Sequence, residues 1–365
     1  MPSNFDPDKF RQEVLKGGFG KDLNQRTAED RKQRKLAEEE RESKADKKGS
    51  KPTFLRPQDI SGDYDFKRAL QTTLGMPEGM TRTLTRADLE AFKHNIDTIA
   101  KQYKGGITVE QVIAFSRQDD IDRANQQILA AQPVRRKAGL VHFITNASAG
   151  SKSRYHHVNV EFQSFNELSL QPKNVSQYAI KNKLSLGNVK FECDCGKFKY
   201  WYRYINTVGN TVLGRKEGGF PKYRNPNLTG IACKHILRVM HWIKSAHGQR
   251  YLTQAIQNER TRQVGARYKQ EKQNIVENIA QQIAKAGSKR SEIKPRLQHE
   301  LNKLEQKRKQ REQLQKRTLQ RQKDLLERSK NKQTKQQSLT RYKTLLNQGV
   351  ITDAEYQVLV QNLGK

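Results

Sequence analysis

A chain of 365 residues is long enough for two or three domains, but 34% of it is apolar and 30% is charged, so a large share cannot be core. Its 70 Lys and Arg against 38 Asp and Glu give a net charge of +32, which makes a polyanion the expected partner. The first twenty residues hold no apolar run of secretory type and no stretch of about 18 apolar residues occurs anywhere, so neither export nor membrane insertion is expected.

Residues 1–52 read as a charged, flexible arm, because the run from Arg31 to Lys48 mixes both signs of charge and has almost no apolar face. From 53 to 135 the pattern predicts a helical module. Thr85 is placed as an N-cap, and Leu89, Phe92, Ile96 and Ile99 recur at helical spacing. Val109, Val112 and Ile113 do the same, and Asp119, Asp120 and Asp122 read as a helix start followed by Ile121, Ile128 and Leu129. Pro133 and the triplet Arg135, Arg136, Lys137 mark a boundary.

A β-rich domain is expected over 136–250. G-L-V-H-F-I-T-N and Y-H-H-V-N-V-E-F-Q-S read as two strands of a hairpin around the loop A-S-A-G-S-K-S, and V-K-F-E-C leads as a further strand into the cysteines. The stretch K-F-K-Y-W-Y-R-Y-I-N-T-V with T-V-L-G reads as a second hairpin turned at Gly209-Asn210. Ile236, Leu237, Met240 and Ile243 then lie on one face of a helix that begins near Cys233.

Residues 251–340 are a basic helical segment with a short heptad seam at Leu297, Leu301 and Leu304 that meets Arg308 and Arg311. Over 341–365 Gly349 ends one helix, Thr352 with Glu355 forms a capping box for the next, and Leu345, Leu346, Ile351, Tyr356, Leu359 and Leu363 supply an apolar face. The fold class expected from this order is α+β: a small zinc-stabilised core of β-hairpins and a helix, an N-terminal helical module, and a long basic C-terminal arm.

Three cysteines are too few for a disulfide framework, and all three fall in one motif: F-E-C-D-C, a 37-residue spacer, then C-K-H. Cys193, Cys195, Cys233 and His235 supply three thiolates and an imidazole, the donor set of a tetrahedral structural zinc site. On an extended strand Cys193 and Cys195 share a face, and at a helix start Cys233 and His235 meet free amides and a positive dipole end that favour the thiolate. One structural Zn2+ is the expected cofactor.

At these residues the chain resembles the SWIM zinc finger, whose pattern is Cys-x-Cys, a variable spacer, then Cys-x-His on a β-β-α framework. The resemblance covers residues 189–247, with a spacer longer than that family's. SWIM modules are associated with DNA binding and protein interaction, in proteins that range from transposases to ubiquitin ligases, so the resemblance implies no single activity. The last 24 residues resemble the short C-terminal domain called SHOCT in their Leu-rich helix, G-x-I-T turn and acidic-aromatic second helix, which implies docking onto another copy or another protein.

Lys197, Lys199, Arg203, Arg215, Lys216, Lys222 and Arg224 concentrate positive charge around the finger, and Lys307, Arg308, Lys309 and Arg311 do so in the basic helices. As a strand, 198–204 would place Lys199, Trp201 and Arg203 on one face and Phe198, Tyr200, Tyr202 and Tyr204 on the other. His142, His156 and His157 lie on predicted strands, where neighbours His156 and His157 point to opposite faces, and each reads as a hydrogen-bonded structural residue. No set of carboxylates on successive strand ends is available for two-metal chemistry, so no enzymatic activity is expected. The expected function is sequence-independent association with nucleic acid, double-stranded DNA above all. The expected setting is the cytoplasm. The alternative is a structural or assembly component of a phage virion, in its head, connector or tail, and a lesser one is a protein related to transposases or nucleases.

Overall fold

The computed structural model describes residues 6–16, 24–25, 27–32, 35, 54–68, 70–149, 151, 153–170, 184, 187–262, 269–270, 273–286, 292–294, 313, 320 and 335–364. The chain divides into two units, Met1–Glu305 and Gln306–Lys365. Helices and antiparallel sheet are mixed in the α+β manner, with the sheets in the first unit.

Helix α1 (Pro7–Leu15) starts where the Asp6 carboxylate accepts the amides of Asp8 and Lys9. The first stretch of the supposed free arm is therefore docked: Phe10 and Val14 are buried in a small cluster with Ala130, Ile144 and Val276. The short α2 (Pro57–Ser61) follows, then the two-stranded sheet of β1 (Gln71–Thr72) and β2 (Arg82–Thr83). Helix α3 (Arg86–Gln102) begins at Thr85. There Asp88 accepts from the Thr85 amide and hydroxyl at 2.8 Å each, and it also pairs with Arg82 at 2.7 Å while almost fully buried. Asp88→Ala removes the cap and strands the guanidinium, so a loss of about 3 kcal/mol is expected, read as a lower urea midpoint with an unchanged slope.

Helices α4 (Val109–Ala114) and α5 (Gln118–Gln127) complete the helical module. Strands β3 (Ala131–Lys137), β4 (Leu140–Asn146) and β5 (Tyr155–Phe162) follow, then α6 (Phe165–Leu170) and β6 (Val189–Cys193). Pro133 and the basic triplet, read as a boundary, lie inside β3. The strand tolerates proline because its register with β4 shifts between Pro133 and Arg135, at a bulge. The hairpin of β4 and β5 pairs Leu140 with Glu161 through Asn146 with Tyr155, as the two runs around the loop predicted.

The second hairpin is absent. Phe198–Tyr202 is a π-helical turn continuous with α7 (Arg203–Val208). Phe198, Tyr202 and Ile205 are fully buried at i, i+4 and i+7, so the aromatic residues that mimic a strand serve a helical stripe. The two-faced arrangement expected of 198–204 does not exist. Gly209 ends the helix where a Cβ would stand 3.0 Å from the Tyr103 side chain, so a larger residue there requires a shift of a few tenths of an ångström.

Helices α8 (Lys234–Lys244) and α9 (Ala246–Arg262) follow, then β7 (Lys269–Gln270) and α10 (Gln273–Ala286). The five-stranded sheet runs β6-β5-β4-β3-β7. Val141, Phe143, Val158, Val160 and Phe191 point from it into one continuous core that also holds Leu89 and Phe92 of α3 and Ile236, Leu237 and Met240 of α8. The helical module and the β-rich region thus share a single core, and Phe92 meets Phe220 of the spacer with ring centroids 4.2 Å apart. The core helix α8 packs across β3, β4, β5 and β6, while α1 and α10 serve the cluster around Ile144.

In the second unit α11 spans 335–347 and α12 spans Asp353–Gly364. Gly349 has φ 69°, and the Gly349 and Val350 amides donate to Leu346 and Leu345, a Schellman closure. Glu355 accepts from the Thr352 amide and hydroxyl, as the capping box predicted. Of the mixed-charge run only Arg31, Lys32 and Lys35 are described; the heptad seam and Lys307, Arg308, Lys309 and Arg311 lie outside the described residues.

Candidate metal centre

Cys193 is the last residue of β6, whose alternation turns Val189, Phe191 and Cys193 toward the core. Cys195 lies just beyond the strand end and immediately before the helical stretch that contains the π-turn, so the two cysteines converge through a turn and not along one extended face. Cys233 is the N-cap of α8 and His235 is its second residue. The four donor atoms lie within 4.8 Å of one another and all four residues are buried. His235 Nδ1 is 3.9 Å from the Sγ atoms of both Cys193 and Cys233. A tetrahedral zinc with ordinary Zn–S and Zn–N bonds has ligand edges of about 3.6–3.8 Å, so a small contraction closes the set on one ion.

The electrostatics suit thiolate ligation. Amides of Cys195 and Phe198 donate to the Cys193 and Cys195 sulfurs at 3.4 Å each. Burial pushes the Cys193 and Cys233 thiols well up. Burial also raises Cys195, but hydrogen bonds from Cys193, Cys233 and His235 outweigh it and hold that thiol well below its usual value. A bound cation would favour the thiolate form of all three sulfurs. Burial lowers His235, which keeps its imidazole neutral, the form that binds a metal.

The π-turn and α7 begin the spacer, and its loop is part of the core. Leu55 and Phe220 bridge as an antiparallel pair, and Phe191 bridges Val212. Asn225 donates to the carbonyls of Trp201 and Thr229. The Tyr202 hydroxyl donates to the buried Asp120 carboxylate of α5, which ties the turn after Cys195 to the helical module.

The seven basic residues expected around the finger do not form one solvent-facing patch. Lys222 is 1% exposed and its Nζ donates to the Gln71 carbonyl at 2.9 Å, so it is a buried strut for β1. Arg203 is 4% exposed, donates to the Arg215 carbonyl and lies 3.6 Å from Glu192. Burial takes both out of any phosphate-binding surface. Arg215 pairs with Glu217 and Lys199 with Asp30 at 2.7 Å. Lys197 sits 3.2 Å over the Trp201 ring, and burial lowers its pKa to about 8. Lys216 and Arg224 are exposed.

Beside the cluster lie His156, which reads from the sequence as a hydrogen-bonded structural residue, and Asp194, to which no role is assigned there. His156 and His157 do point to opposite faces. His157 joins His142 at 2.9 Å, and His142 meets Asn159 at 2.6 Å, on the face away from the cysteines. His156 turns toward the cluster, where its ring lies 4.2 Å from that of His235 and its Nδ1 is 2.8 Å from Asp194. The position of Asp194 between Cys193 and Cys195 was the only available signal. Comparison of the chain with protein-family models, curated proteins and solved structures gives no match.

Proposed function

We propose that Cys193, Cys195, Cys233 and His235 hold one structural zinc, and that the chain is a non-catalytic protein that binds double-stranded DNA largely without sequence preference. The observation that carries the metal half is the buried, closed set of three thiols and an imidazole. Four protein ligands leave no open position for a reacting water, which favours a structural over a catalytic ion. On this reading the finger is SWIM-like in its ligands, with a spacer that has become part of the core.

The nucleic-acid half rests on the net charge of +32. Lys216 and Arg224 are exposed at the finger, while the larger source is the basic segment with Lys307, Arg308, Lys309 and Arg311. Fluorescence anisotropy with several unrelated duplexes tests this. Affinities should agree within about threefold, where a specific reader would separate its site from others by roughly a thousandfold or more.

A second reading, an assembly component of a phage particle, is favoured by the C-terminal hairpin. Val350 and Val358 are 65% and 57% exposed, and Leu345, Leu346, Tyr356 and Leu359 are only half-buried. A pair of short helices has too little core to stand alone, so a second copy of the same hairpin is the proposed cover. Deleting 341–365 should then lower the oligomeric mass measured by light scattering. The same mass per particle, after allowance for the lost residues, would count against it.

A further inference from the structure

A metal-bound histidine ordinarily donates its second ring N–H to a carboxylate, carbonyl or water, and that bond fixes the ring and its tautomer. His235 departs from this pattern. Its Nδ1 edge faces the sulfurs of Cys193 and Cys233 at 3.9 Å, while its Nε2 is buried and has no hydrogen-bond partner among the described residues. The orientation of the ring therefore depends on packing.

The packing partner is specific. The His156 ring lies 4.2 Å from the His235 ring, centroid to centroid, with an interplanar angle of 43°. His156 is itself held, because its Nδ1 is 2.8 Å from Asp194 Oδ1, and the same oxygen accepts the His157 amide at 3.1 Å. Asp194 is the residue between Cys193 and Cys195, so one carboxylate links strand β5, the cysteine turn and the ring that lies on the ligand.

We infer that His156, anchored by Asp194, is the positioning residue of the metal centre: it replaces the customary hydrogen bond with a tilted ring-to-ring contact that holds His235 Nδ1 toward the ion. This inference rests on the zinc reading above. What the ring contact requires is a flat ring at position 156, and what the anchor requires is a carboxylate at 194. A shape requirement and a charge requirement are thereby separated on two residues. Outer-sphere partners of this kind change metal affinity by about 10–100-fold.

The test uses full-length protein and two readouts, the rate of zinc transfer to a chromophoric chelator and the visible ligand-field bands of the Co2+-substituted protein. His156→Ala should release zinc about tenfold faster and shift the Co2+ bands, since His235 gains freedom to tilt. His156→Phe keeps the flat ring and should restore both. Asp194→Ala keeps the ring but loosens it, and its release rate should fall between the wild type and His156→Ala. A merely structural role for His156 would lower stability without moving the Co2+ bands, and Phe would give no rescue. Release rates and bands in His156→Ala equal to those of the wild type overturn the inference, as does a Phe variant that behaves like Ala. If His156→Ala does not fold, His156→Phe and Asp194→Ala still decide: wild-type release from Asp194→Ala, or fast release from His156→Phe, contradicts it. A folded wild type that holds neither Zn2+ nor Co2+ overturns the zinc reading itself, which is a different result from a metal that is held but indifferent to His156.

Discussion

Cys233→Ser is expected to abolish the cooperative unfolding transition of the whole first unit, and not of the finger alone. Serine is a poor zinc ligand at neutral pH, and a structural zinc in a four-ligand site contributes about 10 kcal/mol or more to folding. A domain has only about 5–15 kcal/mol of net stability, so loss of the ion removes most or all of it. The consequence reaches the helical module because the core is continuous. Phe92 of α3 packs on Phe220 of the spacer, and Tyr202 beside the cysteine turn is bonded to Asp120 of α5. Far-UV circular dichroism in urea should show a broad, non-cooperative change, and chelation of the wild type should reproduce it. A wild-type midpoint in Cys233→Ser would contradict the proposed zinc-dependent stability.

Deleting residues 287–340 is expected to flatten the salt dependence of DNA binding far more than any change at the finger. Between Gly287 and Leu345 there are 19 Lys and Arg against 6 Asp and Glu, interleaved with Gln and with few aromatic residues. Such a segment neutralises phosphates but offers little that reads base edges. With around six phosphates contacted, affinity should fall by about three orders of magnitude between about 50 and 200 mM salt. Lys199→Ala should matter little, because its ammonium is already paired with Asp30. Affinities at four salt concentrations, with and without the segment, check this. A shallow slope in the intact protein, or a preference for one duplex that survives the deletion, would assign recognition to the finger instead.

The cluster of Cys193, Cys195, Cys233 and His235 was legible because only residue types and spacing had to be read: three cysteines and one histidine in two short motifs have few other uses. The hairpin of β4 and β5 was legible for a similar reason, since two runs rich in β-branched and aromatic residues flank a loop of small residues. The helical course of 198–208 was hidden. Its aromatic density matches a strand, and only the burial of Phe198, Tyr202 and Ile205 on one stripe reveals the period. The burial of Lys222 could not be read either, because its acceptor, Gln71, lies far upstream and is placed by β1. Docking of α1 is likewise a tertiary event: Phe10 and Val14 are sparse apolar residues in a charged stretch, and their partners Ile144 and Val276 come from β4 and α10. His156 shows the limit most clearly, since a strand pattern gives its face but not the ring that lies on it.

The most direct test of the central claim is the zinc content of full-length protein purified without added metal, measured by elemental analysis against protein concentration. One zinc per chain is predicted, because four buried protein ligands at ordinary structural-site affinities keep the ion through purification. Folded protein with less than about half an equivalent of zinc would contradict the account, since a closed site of this kind should stay filled.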